Sequence, residues 1–211
     1  KKSQSKTVQG IIKESSDNVS EVINRTSKIY SSLINGLSKQ EADKLKKCKK
    51  NINKLDNEVE GLRNHLFYFI KNLDETSIIG SSFYISILAY LTDITQSLEY
   101  MAKKSLKHVE NHHKPLKYNQ IKDLTEIQGS ISNVLSKIQV AFSNDSYKEL
   151  GIIIEEKESL LVLISEKTDN QIKRTRSEES SPKNTALYFN LLLESKDLVK
   201  SIFSVSEEYF N

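Results

Sequence analysis

Residues 48–73 carry the most regular hydrophobic pattern in the chain. The apolar positions follow one another in alternating steps of four and three, and they are Cys48, Ile52, Leu55, Val59, Leu62, Leu66, Phe69 and Leu73. This is the spacing of the a and d positions of a packed helix, so the segment is predicted to be an α-helix that buries one narrow apolar stripe against other helices. A β-strand would scatter the same residues over both of its faces.

The same periodicity predicts six long helices that together form an all-α antiparallel bundle with short loops. Capping boxes at residues 38–41 and 146–149 predict where the second and fifth helices begin, and Pro182 suits the first turn of the sixth. The predicted helices span approximately residues 6–35, 39–73, 80–110, 117–142, 147–176 and 183–209.

A weak internal repeat divides the chain into two halves. Residues 86–98 align with residues 190–202, and the two segments share an Asp, a Ser and four aliphatic positions. The offset between Asp93 and Asp197 is 104 residues (197 − 93), which is close to half of the chain. The sequence therefore predicts one compact domain built from two three-helix repeats. The predicted repeats are residues 1–110 and 111–211.

Composition and charge limit the classes of function. The net charge of +3 over 211 residues is too small to indicate a nucleic-acid partner. The one cysteine, Cys48, lies on the apolar stripe and is expected to be a buried thiol in a reducing compartment. The sequence contains neither a membrane-spanning apolar run nor a signal-peptide pattern. The chain begins at Lys1 instead of a Met, as a piece of a longer protein or a trimmed chain would.

Lysines cluster along the second predicted helix. Their functional interpretation is a basic surface that docks on a partner or on anionic lipid headgroups. Each lysine close to an anionic membrane would gain about 1 kcal/mol of electrostatic attraction. The alternative is an ordinary solvated helix face. The residues of this lysine face are Lys44, Lys46, Lys47, Lys49, Lys50 and Lys54.

Five acidic residues beside core-facing positions are candidate metal ligands, because carboxylates that project inward from several bundle helices can hold a two-metal centre. They are Asp56, Glu60, Asp93, Glu194 and Asp197. No predicted helix contains the Glu-x-x-His element of such centres, so the main expectation is that these acids are structural and that no cofactor is bound. A divalent metal remains the alternative.

The histidines and the catalytic motifs give a weaker signal. His108 and His112 are four residues apart, a spacing that zinc accepts on a helix, but they precede Pro115 at a predicted helix end, where an exposed polar turn is expected. The chain has no Gly-x-Ser-x-Gly motif, no activated Cys–His pair and no glycine-rich phosphate loop. The protein is therefore not expected to be an enzyme.

Three segments of the sequence resemble a known family. Residues 55–73 resemble the second helix of a PhoU-like domain, in the form that is fused behind the membrane part of bacterial inorganic phosphate transporters of the PiT type. Residues 90–100 are similar to the third helix of that family, and residues 107–121 resemble its connector into the fourth helix. The resemblance covers most of residues 40–142 and extends to the remainder by helix pattern alone.

The resemblance implies two three-helix repeats and a regulatory domain at the cytoplasmic face of the inner membrane. Its partner would be the transmembrane part of a phosphate transporter, with the anionic membrane surface or a second copy of the chain as further contacts. The alternatives are a free-standing PhoU-type regulator that binds divalent metal and a sensor kinase, and a helical scaffold without a ligand.

The family also binds metal clusters through a Glu/Asp-x-x-x-Asp motif on the third helix of each repeat. In this chain Asp93 is followed four residues later by Ser97, and Asp197 by Ser201. One acid of the motif is thus missing in each half, which argues against a metal cluster.

Overall fold

The computed structural model describes residues 8–71 and 78–211. Within these residues the chain forms seven α-helices, one 3-10 turn and no β-strand, so the predicted all-α bundle is confirmed. The helices are α1 (Val8–Ser38), α2 (Ala42–Lys71), α3 (Ile78–Glu110), α4 (Tyr118–Ser143), α5 (Leu150–Ile154), α6 (Lys157–Arg176) and α7 (Pro182–Phe210), and the 3-10 turn is Tyr147–Glu149.

Five of the six predicted helices agree with the structure to within three residues at each described end. The predicted start of the first helix at residue 6 and the predicted end of the second at residue 73 lie outside the described residues. The first helix continues past its predicted end, because Ser38 still belongs to α1 and its hydroxyl donates to the Ile34 carbonyl instead of capping α2. Ser181 caps α7 by accepting a hydrogen bond from the Asn184 backbone N–H, with Pro182 in the first turn as predicted.

The fifth predicted helix, residues 147–176, is divided in the structure. Ser146 makes no side-chain cap, the 3-10 turn takes the place of a first helical turn, and the chain leaves the α-helical hydrogen-bond pattern between α5 and α6. There the Glu156 N–H donates to the Ile153 carbonyl three residues back, which is a tighter bond than the α-helix makes. The single long helix predicted here is therefore wrong. The break lets α5 pack on α7 beside the end of that helix.

The helices pack as two groups of three. In the first group α1, α2 and α3 contact one another, and in the second α4, α6 and α7 do so. The groups meet mainly through two pairs of helices, α1 with α4 and α3 with α7. Each predicted half thus supplies one group, while the division into two similar repeats at residue 110 stays a prediction.

One hydrophobic core contains buried residues from both groups of helices. The apolar stripe of α2 is buried at Cys48, Ile52, Leu55 and Val59, as the spacing predicts. Cys48 is a buried free thiol, and burial raises its pKa. Among the described residues, no helix combines the length and the apolarity that crossing a membrane requires.

Candidate functional site in the groove between helices α3 and α7

Helices α3 and α7 run antiparallel along the middle of the bundle. Near the start of α3, the ring of Phe83 meets the ring of Tyr209 near the end of α7, with centroids 4.9 Å apart. At the other end, His108 of α3 lies beside Leu187 in the early turns of α7. The surface between the two helices is a groove of about 500 Å³. We call it the central groove, and it is lined by Asp93, Gln96, Ser97, Tyr100, Glu194, Asp197, Lys200 and Ser201.

The repeated segment of the sequence forms both walls of the central groove. Asp93 and Ser97 share one face of α3 because they are four residues apart, and Asp197 and Ser201 share the corresponding face of α7. The neighbouring Ile94 and Leu198 are fully buried and fix the rotation of each helix. The Asp-x-x-x-Ser elements of the two halves therefore face the same cavity.

The Glu194 carboxyl in the central groove has a raised pKa. Its side chain is half-buried and accepts a hydrogen bond from Ser97 across the interface between the helices. Burial raises the pKa of the Glu194 carboxyl, the Asp197 carboxylate raises it further, and the hydrogen bond from Ser97 acts in the opposite direction. The groove is consequently an acidic surface in which one carboxyl is held by the opposite helix.

The structure brings three of the five candidate metal ligands into this groove and leaves two outside it. Asp56 on α2 accepts a hydrogen bond of 3.1 Å from Thr95, and Glu60 is exposed and lies 3.6 Å from Arg63 of its own helix. Nowhere in residues 8–71 and 78–211 are three His, Cys, Asp or Glu side chains grouped closely enough to hold a metal ion.

The donor set of the central groove does not fit a metal cluster. A cluster of hard cations needs several carboxylate ligands, and here the second position of each Asp-x-x-x-Ser element is a neutral hydroxyl. The nearby ammonium group of Lys200 would also oppose a cation. The residues of the groove therefore do not supply the set of carboxylate ligands that a metal cluster needs.

The lysine face lies on the outer side of α2. Lys46, Lys47, Lys50 and Lys54 are exposed, and none of them forms an ion pair within the described part of the chain. The other two members are half-buried at the edges of the face, Lys44 and Lys49. Lys44 is engaged, since its Nζ donates a 2.6 Å hydrogen bond to Asn35 Oδ1 at the corner between α1 and α2.

The prediction of an exposed histidine turn is wrong for His108. This residue is buried, and its Nε2–H donates a 2.9 Å hydrogen bond to the Lys114 carbonyl, which closes the connector between α3 and α4. Burial lowers the pKa of His108, and the Lys114 carbonyl opposes that effect. His112 lies beyond the end of α3 and has a positive φ of 55°, so it does not share a helix face with His108. Leu98, Met101 and Ser105 are buried on one face of α3 in steps of three and four residues. The next step of three reaches His108, so this spacing indicates that His108 is buried too.

A buried charged cluster in the second group of helices has no counterpart in the sequence predictions. Asp123 of α4 lies 2.6 Å from Arg174 Nη2 and 3.6 Å from Lys167 Nζ, and it accepts a 3.3 Å hydrogen bond from the Tyr188 hydroxyl. Three helices are thus joined at one carboxylate. No spacing along the chain connects these residues, because each of them lies on a different helix or a different turn from Asp123.

Comparisons with known proteins identify a solved structure with a similar fold. No protein-family model matches the sequence, and no curated protein matches it. Among solved structures, the phosphate transport system regulatory protein PhoU from Streptococcus pneumoniae is similar, with a TM-score of 0.76 and 12% sequence identity. The similarity covers 96% of this chain and 95% of that chain. The chain therefore has a PhoU-like fold, as the sequence resemblance implies.

Proposed function

We propose that the chain is a non-catalytic, PhoU-like regulatory domain that controls inorganic phosphate uptake. The observation that carries the proposal is the PhoU-like fold over 96% of the chain, shared with a phosphate transport system regulatory protein. The resemblance of residues 55–73 to the transporter-fused form of the domain supports attachment to a PiT-type transporter at the cytoplasmic face of the membrane.

The lysine face is the docking surface in this proposal. Helix α2 packs on α1 and α3 of its own group, so its outer side forms an edge of the bundle. Each of the four exposed ammonium groups along that edge would gain about 1 kcal/mol near an anionic membrane surface. This attraction falls off within a Debye length of the membrane, and added salt shortens that length. The domain would thereby lie against the lipid surface that surrounds the transporter and contact the membrane part from there.

A vesicle experiment tests the docking surface. The chain is sedimented with phosphatidylcholine vesicles with and without phosphatidylglycerol, and the quadruple variant K46Q/K47Q/K50Q/K54Q is compared with K122Q/K148Q/K173Q/K196Q. The control removes the same charge from exposed lysines on other helices. Loss of the lysine face should weaken binding to anionic vesicles roughly a hundredfold or more, while the control binds nearly as well as the unmodified chain. Equal losses in both variants would show that only net charge matters.

The coding sequence tests attachment to a transporter. Hydrophobic membrane spans are expected in the same reading frame as this chain. A start codon directly before Lys1, with no spans encoded on either side, would contradict attachment and leave the regulatory role to be tested separately. In that case phosphate uptake in cells that lack the chain still measures whether it regulates transport.

A second candidate is a free-standing PhoU-type regulator that acts by binding other proteins. It is favoured by the extent of the structural similarity, which covers 95% of the PhoU chain from Streptococcus pneumoniae. The form of this alternative that depends on divalent metal predicts stoichiometric metal in protein purified without chelator. Because the central groove does not fit a cluster, we expect elemental analysis to find substoichiometric metal.

A further inference from the structure

We propose that a basic pocket at one end of the α3–α7 pair binds a small tetrahedral oxyanion, either inorganic phosphate or the phosphate end of a monoester. The pocket has a volume of about 180 Å³ and lies between the last turns of α3 and the first turns of α7. We call it the basic pocket, and the polar residues that carry the inference are Lys104, Lys107, Asn111, Lys183 and Asn190. This inference does not rest on the proposed function.

Three lysines from two helices line the basic pocket, and the Nζ of one of them, Lys104, lies 5.3 Å from the centroid of the Tyr100 ring. Lys104 and Lys107 come from α3 and Lys183 comes from α7, and no acidic residue of the described chain lines the cavity with them. None of the three forms an ion pair within the described residues. Because like charges that share a small cavity repel one another, a dianion is the ligand that relieves the repulsion most.

Amide groups complete the polar lining of the pocket. Asn111 follows the end of α3 and Asn190 lies on α7, so donors are available on both sides of the cavity. Lysine and asparagine donors suit the oxygens of a phosphate group, since charge-assisted hydrogen bonds to such oxygens are short and strong.

The walls of the pocket are held by hydrogen bonds outside it. The His108 ring is fixed by its bond to the Lys114 carbonyl, and Asn184 Nδ2 donates a 3.0 Å hydrogen bond to the Pro115 carbonyl. The Gln40 side chain donates to the His113 carbonyl from the α1–α2 turn. The connector after α3 is therefore tied to α7 and to the first helix pair, and the lysines project from a closed frame.

The volume of the basic pocket suits a small ligand. Its 180 Å³ corresponds to about six water molecules, and it is smaller than the sites of about 300–1,000 Å³ that bind drug-sized ligands. A single phosphate group with ordered water fits within that volume. The chemistry is shared by free phosphate and by the end of a phosphate monoester, and the experiment separates the two.

The test is a titration of the ¹⁵N-labelled full chain, followed by amide NMR at constant ionic strength. The probes are inorganic phosphate, glycerol 3-phosphate and chloride. Shifts concentrated at residues 104–111 and 183–190 with phosphate, and absent with chloride, are expected. An equal response to glycerol 3-phosphate would identify the monoester end as sufficient, and a response to phosphate alone would identify the free ion.

Charge-matched variants make the test specific. K107Q/K183Q removes two exposed lysines from the basic pocket, and K46Q/K50Q removes two exposed lysines from the lysine face. The first variant should bind phosphate about tenfold more weakly or worse, and the second should bind as the unmodified chain does. Unchanged binding in K107Q/K183Q, an equal loss in K46Q/K50Q, or shifts spread over all surface lysines would overturn the proposal.

Discussion

The Tyr30 hydroxyl and Ser195 Oγ form a buried hydrogen bond of 2.7 Å between α1 and α7. Both residues are fully buried, and they belong to different groups of helices. Ser195 Oγ also lies 3.8 Å from Met101 Sδ of α3. One serine thus ties together three helices that meet at the middle of the core.

Substitutions at this pair should reveal a coupled interaction. Tyr30→Phe should lower the free energy of unfolding by about 1 kcal/mol, and Ser195→Ala by about 1–3 kcal/mol because it leaves the Tyr30 hydroxyl buried without a partner. The double variant should cost less than the sum of the two single variants. Urea unfolding measures all three, with the exposed Tyr118→Phe as control. Strict additivity would contradict the coupling.

Alkaline pH should destabilise the bundle through the same tyrosine. Burial raises the pKa of Tyr30 to about 12 from an ordinary value of 10.0, and the hydrogen bond to Ser195 opposes this only in part. The unfolded chain therefore loses this proton before the folded chain does. Below pH 10 the stabilisation is fully present, and between pH 10 and about 12 the free energy of unfolding should fall by about 1.4 kcal/mol per pH unit.

Comparison with the phenylalanine variant isolates that effect. Tyr30→Phe lacks the titrating group, so the stability difference between it and the unmodified chain should narrow as the pH rises above 10 and reverse sign before about pH 12. Urea unfolding at several pH values measures the difference. A difference that stays constant up to pH 12 would show that Tyr30 ionises as an ordinary tyrosine.

Removal of the carboxylate of Asp123 should be among the most damaging single changes. Asp123→Ala leaves Arg174 mostly buried without its carboxylate partner, while Lys167 keeps its 2.7 Å pair with Glu126. A loss of about 3 kcal/mol in the free energy of unfolding is expected. The matched control is Glu60→Ala, because the Glu60–Arg63 pair is more than half exposed and its loss should change stability by less than about 0.5 kcal/mol. Thermal or urea unfolding compares the two. Equal effects would contradict a structural role for the buried cluster.

Two glycines offer a further comparison of local geometry. A Cβ at Gly129 of α4 meets no atom within 4 Å, so Gly129→Ala should stabilise the chain by up to about 1 kcal/mol through helix propensity. A Cβ at Gly151 would lie 2.6 Å from Phe210 Cε2, so the ring must move and the gain should be smaller or reversed. Melting temperatures of the two variants measure the difference. A larger gain at Gly151 would contradict the close contact.

The hydrophobic pattern predicted most of the helices well because each of them buries one apolar stripe, and the spacing of that stripe is visible in the sequence. Leu55 and Val59 are buried where the four-and-three spacing places them. The internal repeat had a further consequence, since Asp93 and Asp197, which are 104 residues apart (197 − 93), line one groove. The sequence places both aspartates beside core-facing positions, and the packing of α3 against α7 brings them together.

The failures have local or long-range causes. The break after Ile154, where the Glu156 N–H donates to the Ile153 carbonyl, leaves the apolar periodicity of residues 147–176 unchanged. The environment of Asp123 is set by Arg174 and Tyr188 on two other helices, so no spacing near Asp123 announces it. Polar clusters between helices can be recognised only when the helices have been placed.

Because α3 and α7 pair along most of their length, a change in the angle between them moves both ends of the pair. Helix α7 has 29 residues and is about 44 Å long. The basic pocket lies at one end of the pair, and the Phe83–Tyr209 ring contact lies at the other. A tilt of about 5° around the midpoint of α7 would displace each end by about 2 Å in opposite directions. An event in the pocket that changed this angle would reach the distant aromatic contact through the side chains that pack between α3 and α7.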